Sequence, residues 1–437
     1  MPSVRVITLG CSKNTVDTQH LLAQLPASRY EIRSEREEGP VDYLLVNTCG
    51  FIGDAKEESI QTILQAAKLR ARGEAGRLIV FGCLSQRYAA ELPGLIPEVD
   101  AWYGARDLDP VVRALGAVPS RSLDSERWLG ADRPACASLK ISEGCDRRCA
   151  YCAIPAIRGP HRSVPMETLV EEARSLAAKG VRELLVIAQD TTYYGLDLYG
   201  HRALAQLLQR LSEVDGIEWL RIHYSYPKDF PDDVLEQMAS NPKVCRYLDI
   251  PLQHVSDPVL QKMNRHVDGA FTRALVSRFR ERVRGVALRT TMIVGHPGEG
   301  EKEFLELLDF VRVARFERLG AFTYSEEEGT PGAAKYPDTI PPEEKSRRLD
   351  ELMRVQAQIS REYNLSRVGT TVRVLSDAVL DPATLVCRSE FESPEVDGEI
   401  LLHLPQGADA AALKGQFLQA RITAADDYDL QAELVKD

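Results

Sequence analysis

Short apolar runs alternate with helical patterns over most of this chain, and this alternation limits its fold more than any other feature. Runs such as Val4–Leu9, Tyr43–Val46 and Leu78–Phe81 have the length and hydrophobicity of strands that are buried on both faces. Strands of this kind, separated by helices, form parallel sheets, because parallel neighbours need a long crossover connection. Residues 1–118 therefore predict a parallel α/β sheet.

About six further strand-and-helix units follow between residues 131 and 363. This number of units is enough for a partial parallel barrel, which binds its ligands at the carboxyl ends of the strands. The polar stretch Pro119–Pro134 is expected to link the two parts. The expected barrel strands are Ser138–Ile141, Glu183–Ala188, Trp219–His223, Tyr247–Ile250, Leu288–Val294 and Leu319–Tyr324.

Residues 364–437 differ from the rest because they lack long helical patterns. Five short alternating runs within some seventy residues are typical of a small closed β-barrel. These runs are Thr371–Leu375, Thr384–Arg388, Glu399–Leu402, Gln416–Ile422 and Asp429–Leu434. The predicted fold class is thus α/β, with an N-terminal parallel sheet, a partial (β/α)6 barrel and a five-stranded C-terminal β-barrel.

Length, hydropathy and charge narrow the class of protein. A chain of 437 residues with 44% hydrophobic and 27% charged residues suits two or three globular domains. No apolar run approaches the ~20 residues that span a bilayer, and the N-terminus lacks the basic leader of a signal peptide. We therefore expect no membrane association and a cytoplasmic location. The net charge of −11 argues against a broadly basic nucleic-acid binder.

Three cysteines within eight residues, in EGCDRRCAYCAIP, form the most specific chemical signal. The spacing Cys145-x-x-x-Cys149-x-x-Cys152 can place three thiolates around one soft metal centre. Three ligands on a 4Fe–4S cluster leave its fourth iron free to bind another molecule. A closed zinc site is the alternative, but it normally needs a fourth Cys or His at regular spacing, which this segment lacks.

Cys11, Cys49 and Cys83 each follow a predicted strand, in VITLGC, YLLVNTC and RLIVFGC. The carboxyl ends of parallel strands lie at one edge of a sheet, so we expect these cysteines to converge on a second three-thiolate site. Adjacent glycines, Gly10, Gly50 and Gly82, would allow the backbone to approach a bulky cluster. The alternative is three unrelated buried thiols. Cys136, Cys245 and Cys387 are interpreted in that second way, because none has a partner at ligand spacing.

The cysteine loop after the first barrel strand resembles the signature of the radical S-adenosylmethionine superfamily, and Tyr151 matches an aromatic position of that signature. Together with LGCSKNTVDTQ, NTCGFI and FGCLSQR, it resembles the methylthiotransferase family over essentially the whole chain. In that family the C-terminal β-barrel is called a TRAM domain. The segments IPAIRGPHRS, IAQDTTYYG, PLQHVSDPVL and RTTMIVGHPGE are most similar to the members that modify ribosomal protein S-twelve.

This resemblance implies two 4Fe–4S clusters and S-adenosylmethionine as cofactors. The cluster on Cys145, Cys149 and Cys152 would cleave S-adenosylmethionine to a 5′-deoxyadenosyl radical. The cluster on Cys11, Cys49 and Cys83 would hold the sulfur that is delivered. One S-adenosylmethionine would give the methyl group and a second the radical, which would attack the β-carbon of an aspartate. The sulfur donor and the electron donor are not identified by the resemblance.

Other barrel residues carry weaker signals. Gln189 and Asp190 end the second barrel strand and are candidates for contact with the cofactor's methionine, although a strand-end cap explains them equally well. Gly295 to Glu299 follow the fifth strand and are expected to cradle the nucleoside, with a plain tight turn as the alternative. Arg158 and Arg162 are expected to be solvated unless they serve an anionic ligand.

The charge of residues 364–437 favours a protein partner. This part has six basic and thirteen acidic residues, a net charge of −7. Binding to tRNA would need the opposite sign, because phosphate contacts supply most of that affinity. The expected partner is therefore ribosomal protein S-twelve or the small ribosomal subunit, and direct RNA binding by this barrel is not expected. The alternatives are a tRNA adenosine methylthiotransferase and a non-catalytic iron–sulfur carrier.

Overall fold

A computed structural model describes residues 1–130 and 134–435 of the protein. The first part alternates strands and helices: β1 (Ser3–Thr8), α1 (Ser12–Ala23), β2 (Glu31–Arg33), β3 (Val41–Thr48), α2 (Gly53–Ala71), β4 (Ala75–Gly82), α3 (Cys83–Arg87), α4 (Leu92–Leu95), β5 (Ala101–Trp102) and α5 (Asp109–Ala114). Its five strands are parallel and lie in the order β2-β1-β3-β4-β5. The parallel sheet predicted for this part is confirmed.

The central strands of this sheet are buried on both faces. On β3, Leu45 packs into the core on one side, while Leu44 and Val46 pack into the core on the other. This explains why the sequence of β3 is a continuous apolar run rather than an alternating one. The edge strands β2 and β5 have three and two residues, too short to produce a hydrophobic pattern, and the sequence did not predict them.

The second part forms one sheet of six parallel strands in chain order, the predicted partial barrel. Its strands are β6 (Cys136–Lys140), β9 (Glu183–Ile187), β10 (Trp219–Ile222), β11 (Val244–Asp249), β12 (Ala287–Val294) and β13 (Arg318–Thr323), and a short antiparallel pair, β7 (Ser142–Glu143) with β8 (Arg162–Ser163), follows β6. The helices are α6 (Ile154–Arg158), α7 (Met166–Ala178), α8 (Leu196–Tyr199), α9 (Leu204–Ser212), α10 (Asp232–Ser240), α11 (Asp257–Lys262), α12 (Gly269–Arg282), α13 (Glu301–Ala314), α14 (Pro331–Lys335) and α15 (Pro342–Ser366).

The third part is a closed barrel of five strands, as predicted. It contains β14 (Thr371–Asp381), β15 (Thr384–Ser389), β16 (Ile400–His403), the short helix α16 (Ala410–Leu413), β17 (Phe417–Ala425) and β18 (Leu430–Leu434). The order around the barrel is β14-β15-β16-β18-β17. Closure leaves no free sheet edge, which protects so short a set of strands from pairing with other chains.

Buried ion pairs fasten the third part to the amino-terminal ends of the larger barrel's strands. Glu183, the first residue of β9, lies 2.8 Å from both Arg221 on β10 and Arg388 on β15. Burial opposes ionisation of Glu183, but Arg388 and Arg221 outweigh this effect and lower its pKa to about 2. At the same interface between the two barrels, Glu392 binds Arg318 at 2.9 Å. This interface therefore depends on carboxylates that remain charged at neutral pH.

The stretch predicted as a linker is packed against both neighbouring parts. Arg127 is only 3% exposed and lies 2.6 Å from Glu172 on α7, and Trp128 contacts the core of the first sheet. Residues 131–133 of this stretch lie outside the described residues. Within the described residues, no helix is both long and apolar enough to cross a membrane.

Candidate active site

The N-terminal cysteines lie at one edge of the first sheet, where the carboxyl ends of β1, β3 and β4 are neighbours. Cys49 and Cys83 directly follow β3 and β4 and are buried, whereas Cys11 precedes α1 and is exposed. A Cβ atom on Gly10, whose φ is +91°, would lie 2.9 Å from the Cys49 sulfur. The loop that carries Cys11 thus touches Cys49, and only glycine allows this approach. These contacts bring the loop of Cys11 against Cys49; the convergence of all three cysteines on one cluster stays a prediction.

Two further contacts hold the buried cysteines in place. The hydroxyl of Ser59 on α2 accepts a hydrogen bond from the Cys49 amide at 3.0 Å and donates one to its carbonyl at 2.8 Å. Gly82, at the turn from β4 into α3, has a φ of +106°. A Cβ atom at this position would lie only 2.5 Å from the side-chain oxygen of Asn47, so the turn requires glycine. Burial raises the pKa of the Cys83 thiol to about 12 and also raises that of Cys49. Burial thus disfavours the thiolate form at this edge, and a bound metal centre would offset that cost.

The second group of cysteines lies in the loop between β7 and β8, beside the carboxyl end of β6. Backbone hydrogen bonds fix the loop: the Cys145 amide donates to the Gly159 carbonyl at 3.1 Å, and the Ala150 amide donates to the Met263 carbonyl at 2.9 Å. Burial raises the pKa of Cys145 and of Cys152 to about 12. Cys149 is buried, and Cys145 and Cys152 are half-buried.

A buried arginine and an aromatic ring accompany the second site. Arg265 donates a hydrogen bond to the Cys149 sulfur at 3.4 Å and another to the Tyr151 hydroxyl at 3.3 Å. Its guanidinium lies 4.4 Å from the ring centroid of Tyr226, whose other neighbour is Arg147 at 4.2 Å. Neither Arg265 nor Tyr226 could be predicted from the sequence, because neither lies in a spacing pattern with the cysteines.

Gln189 lies at the barrel edge with an unsatisfied acceptor. Its amide nitrogen donates to Glu143 at 2.6 Å, while its buried amide oxygen has no hydrogen-bond partner among the described residues. The buried amide oxygen of Gln253, beyond the carboxyl end of β11, is in the same state. A buried acceptor without a partner is costly, so both oxygens fit a ligand that brings hydrogen-bond donors. Sequence reasoning missed Gln253.

The carboxylates of Asp190 and Glu299 accept hydrogen bonds from other groups of the protein. Asp190 accepts hydrogen bonds from Arg147 at 2.6 Å and from the Thr192 amide at 2.9 Å, which caps the turn after β9. Glu299 accepts from the Gly295 amide at 3.0 Å and from Arg348 on α15 at 2.8 Å. For Asp190 these contacts match the alternative of a strand-end cap. For Glu299 they match the alternative of a tight turn.

Arg158 lies buried beside the N-terminal cysteine site, contrary to the expectation of a solvated side chain. It ends α6, six residues after Cys152, and is 4% exposed. Its guanidinium donates to the Cys83 sulfur at 3.2 Å, to Asp17 on α1 at 2.7 Å and to Glu143 at 3.1 Å. Arg162, by contrast, is exposed as expected. Cys83 therefore packs against α6, which follows the second cysteine loop, at the joint between the first sheet and the barrel.

Neither site has the geometry of a closed zinc site. Within residues 1–130 and 134–435, no three His, Cys, Asp or Glu side chains converge tightly enough to hold a single metal ion. Two sets of three thiols, neither accompanied by a fourth cysteine, suit a larger cluster that leaves one metal position without a protein ligand.

Three family models match the chain in succession. The Uncharacterized protein family UPF0004 matches residues 3–104, the Radical SAM superfamily matches residues 139–311, and the TRAM domain matches residues 368–435. Among solved structures, the radical S-adenosylmethionine methyltransferase TsrM from Kitasatospora setae has a TM-score of 0.55 at 15% identity, covering 76% of this chain and 77% of that one. This similarity shows the fold alone.

Curated relatives match the chain from end to end. The ribosomal protein uS12 methylthiotransferase RimO of Porphyromonas gingivalis is 49% identical over 432 residues, covering 99% of both chains. The protein of the same name from Bacteroides fragilis is 47% identical over 433 residues, again covering 99% of both chains. The chain therefore belongs to the RimO family of radical S-adenosylmethionine methylthiotransferases.

Proposed function

We propose that this enzyme attaches a methylthio group to an aspartate of ribosomal protein uS12 and that it carries two 4Fe–4S clusters. Membership of the radical S-adenosylmethionine superfamily implies that cofactor and one such cluster. The observation that supports the second cluster is the position of Cys11, Cys49 and Cys83 after three neighbouring strands at one sheet edge, where Arg158 donates to the Cys83 sulfur. In this assignment Cys145, Cys149 and Cys152 hold one cluster, and Cys11, Cys49 and Cys83 hold the other.

The barrel cluster, when bound, supplies the electron that cleaves S-adenosylmethionine and so provides a radical able to attack an unactivated C–H bond. The chain's own residues orient the reactants around it. Gln189 and Gln253 accept hydrogen bonds from the amino or hydroxyl groups of S-adenosylmethionine. Asp190 holds Arg147 in place. Gly295 and Glu299 shape the turn at the barrel edge beside α15.

Three parts divide this work: residues 1–118 as the N-terminal domain, 131–363 as the radical domain and 364–437 as the TRAM barrel. Separate hydrophobic cores support the division, since the largest core of buried residues runs from Ala137 to Ile359 and the TRAM barrel has its own. The N-terminal domain would bring its cysteines against the open edge of the radical domain, while the TRAM barrel covers the opposite end.

The exposed surface of the TRAM barrel supports a basic partner. Its exposed acidic residues are Asp381, Glu395, Glu399, Asp409, Asp426, Asp429 and Glu433, and its exposed basic residues are Arg373, Lys414 and Arg421. An acidic surface attracts basic proteins and repels RNA phosphates, which disfavours a tRNA substrate. Not all of the acidic charge takes part, because Glu392 and Asp397 are buried against Arg318 and Arg289.

Mass spectrometry of ribosomal proteins tests the substrate directly. Ribosomes from a strain that lacks the gene, and from the same strain complemented with it, are digested and compared, and tRNA nucleosides are compared in parallel. We expect a methylthio group on an aspartate of uS12 only in the complemented strain, with unchanged tRNA. A methylthioadenosine that depends on the gene, with unmodified uS12, would instead establish the tRNA alternative.

The role of the acidic surface is tested by charge reversal at two exposed positions, Glu395→Lys with Glu399→Lys. Exposed charges guide association and are screened over about 8–10 Å at ordinary ionic strength, so uS12 should bind more slowly and with weaker salt dependence. Lys68→Met on α2, which is exposed and far along the chain from the TRAM barrel, is the control. Identical association rates and salt slopes would mean that the acidic surface does not guide binding.

A further inference from the structure

Lys13 places a positive charge at the joint between the two cysteine sites. It follows Cys11 by two residues in the first turn of α1, and only 7% of the residue is exposed. Its ammonium nitrogen lies 2.8 Å from the centroid of the Tyr224 ring, on the opposite side of the joint. A lysine of the N-terminal domain thus reaches the open edge of the radical domain.

Tyr224 is held rigidly in the position that receives this charge. It lies just beyond the carboxyl end of β10, and its φ of +57° is unusual for a residue with a side chain. Its amide donates to Asp249 at 3.0 Å, and its carbonyl accepts from the Thr191 amide at 3.1 Å. Strained backbone that neighbouring strands fix in this way is frequent at functional sites.

The other buried cations of this joint have carboxylate partners. Lys140 binds Asp17 and Glu143, and Arg158 binds the same two carboxylates. Asp17 lies one helical turn after Lys13 and would be its natural partner, but both of its oxygens are used by those two cations. Three cations therefore share two carboxylates, so these five side chains, counted without the cysteines, have a formal surplus of one positive charge.

Lys13 is the cation that is left over. Within residues 1–130 and 134–435 its ammonium makes no salt bridge or hydrogen bond, and only the Tyr224 ring contacts it as a charge. A buried ammonium is costly without a hydrogen-bonded partner, and an aromatic face offsets only part of that cost. A ligand carboxylate would supply the missing partner.

We propose that the Lys13 ammonium binds a carboxylate that enters the joint with a ligand. Two sources have this chemistry: the side chain of the aspartate that is modified, and the methionine part of S-adenosylmethionine. Because Lys13 belongs to the N-terminal domain and Cys11 beside it is exposed, the substrate aspartate is the source that the position favours. This inference rests on the proposed function, and it makes Lys13 the residue that distinguishes aspartate from asparagine in the substrate.

Equilibrium binding to the reconstituted enzyme, without reductant so that no turnover occurs, tests the inference. The probes are uS12 with its natural aspartate, uS12 with that aspartate replaced by asparagine, and S-adenosylmethionine. A hydrogen bond to a charged group implies that wild type binds the aspartate form roughly tenfold to a hundredfold more tightly than the asparagine form. The variant Lys13→Met should lose this preference and bind both forms as wild type binds the asparagine form.

Two further variants separate charge from structure. Lys13→Arg keeps the cation and should retain the preference for aspartate, and so should Lys68→Met, which removes an exposed lysine of α2. Circular dichroism and iron content of each variant report whether the fold and the clusters are intact.

Each outcome decides the inference. Loss of the aspartate preference with unchanged affinity for S-adenosylmethionine identifies the substrate as the source of the carboxylate. Weaker binding of S-adenosylmethionine with the preference retained identifies its methionine part instead. If Lys13→Met changes neither, the inference is overturned. Should wild type fail to bind or modify uS12 at all, the proposed substrate is wrong, and the titration with S-adenosylmethionine alone then decides the role of Lys13.

Discussion

The two cysteine sites each contain three thiols, but the sites are assembled in opposite ways. Cys145, Cys149 and Cys152 share one loop, so their proximity is local. Cys11, Cys49 and Cys83 are each separated by more than thirty residues and meet only because β1, β3 and β4 are neighbours in one sheet. The barrel site needs only a single loop of fixed conformation, whereas the N-terminal site depends on the packing of a whole domain.

The two sites also differ in how their arginine is balanced. Arg158, at Cys83, is paired with Asp17 and Glu143. Arg265, at Cys149, has no carboxylate within salt-bridge distance among the described residues; its partners are the Tyr151 hydroxyl and the Pro251 carbonyl. The positive field of the arginine at Cys149 is therefore not offset by a carboxylate. Such a field favours an anionic cluster and the carboxylate of a bound amino acid.

Removing either set of cysteines should give the largest and most different losses. Replacing Cys145, Cys149 and Cys152 by Ala should abolish 5′-deoxyadenosine formation, because no electron can then reach S-adenosylmethionine. Replacing Cys11, Cys49 and Cys83 should spare that cleavage and abolish methylthiolation. Each triple variant should keep about half of the iron of wild type, because one cubane of two is lost. A triple variant with full iron would show that its cysteines are not ligands.

Two glycines test whether the sites can be damaged separately. Gly82→Ala places a Cβ atom 2.7 Å from the Thr48 backbone at φ +106°, and Gly144→Ala places one against the Pro160 carbonyl at φ +79°. We expect each to destabilise its own site, by about 2–5 kcal/mol, through strain and overlap. Iron content and 5′-deoxyadenosine formation distinguish the two sites.

Gly94→Ala on α4 is the matched control for this pair, since nothing lies within 4 Å of the added atom. Its stability and iron content should equal those of wild type. If Gly82→Ala removed both clusters, the two sites would not be independent.

Loss of Arg158 should weaken only the N-terminal site and the joint. Arg158→Met leaves the buried Asp17 and the half-buried Glu143 with Lys140 as their one cation, and breaking the buried pair with Asp17 costs about 3–5 kcal/mol. Removing a donor to the Cys83 sulfur should also lower the reduction potential of the N-terminal cluster, because the donor favours the more negative, reduced state. Denaturant unfolding and redox titration followed by electron paramagnetic resonance measure both effects.

Arg162→Met is the control for Arg158, since Arg162 lies four residues further along and is exposed. It should leave stability and both potentials unchanged. Equal shifts in the two potentials for Arg158→Met would contradict the assignment of this arginine to one site.

Loss of Arg265 should have the smallest effect of this series. Arg265→Met leaves the Pro251 carbonyl without its donor and removes the contact with Tyr226, which costs about 1–3 kcal/mol. We expect the potential of the barrel cluster to fall and affinity for S-adenosylmethionine to decrease, with the N-terminal cluster unaffected. Unchanged affinity and potential would mean that the positive field at Cys149 has no function.

The main strands and helices, and the choice of six cysteines as ligand candidates, follow from the sequence alone. Buried parallel strands such as β3 and β4 are continuous apolar runs, and the loop from Cys145 to Cys152 has a spacing with few alternative explanations. Both signals are local, since they depend on residues that are close along the chain. The short strands β2 and β5 and the packing of the linker left no such pattern.

Which charged side chains are buried, and which groups they contact, is visible only in the folded structure. Arg158 appears in the sequence as an ordinary arginine near a cysteine loop, yet it lies in the joint and donates to Cys83. Glu392 counts toward an acidic surface in the sequence, yet it is buried against Arg318 and Arg367. Lys13 is distinguished only because its neighbours Lys140 and Arg158 occupy the available carboxylates. Contacts such as Arg158–Cys83, Glu392–Arg318 and Lys140–Asp17 join residues 74 to 123 positions apart, and no periodicity or spacing along the chain encodes them.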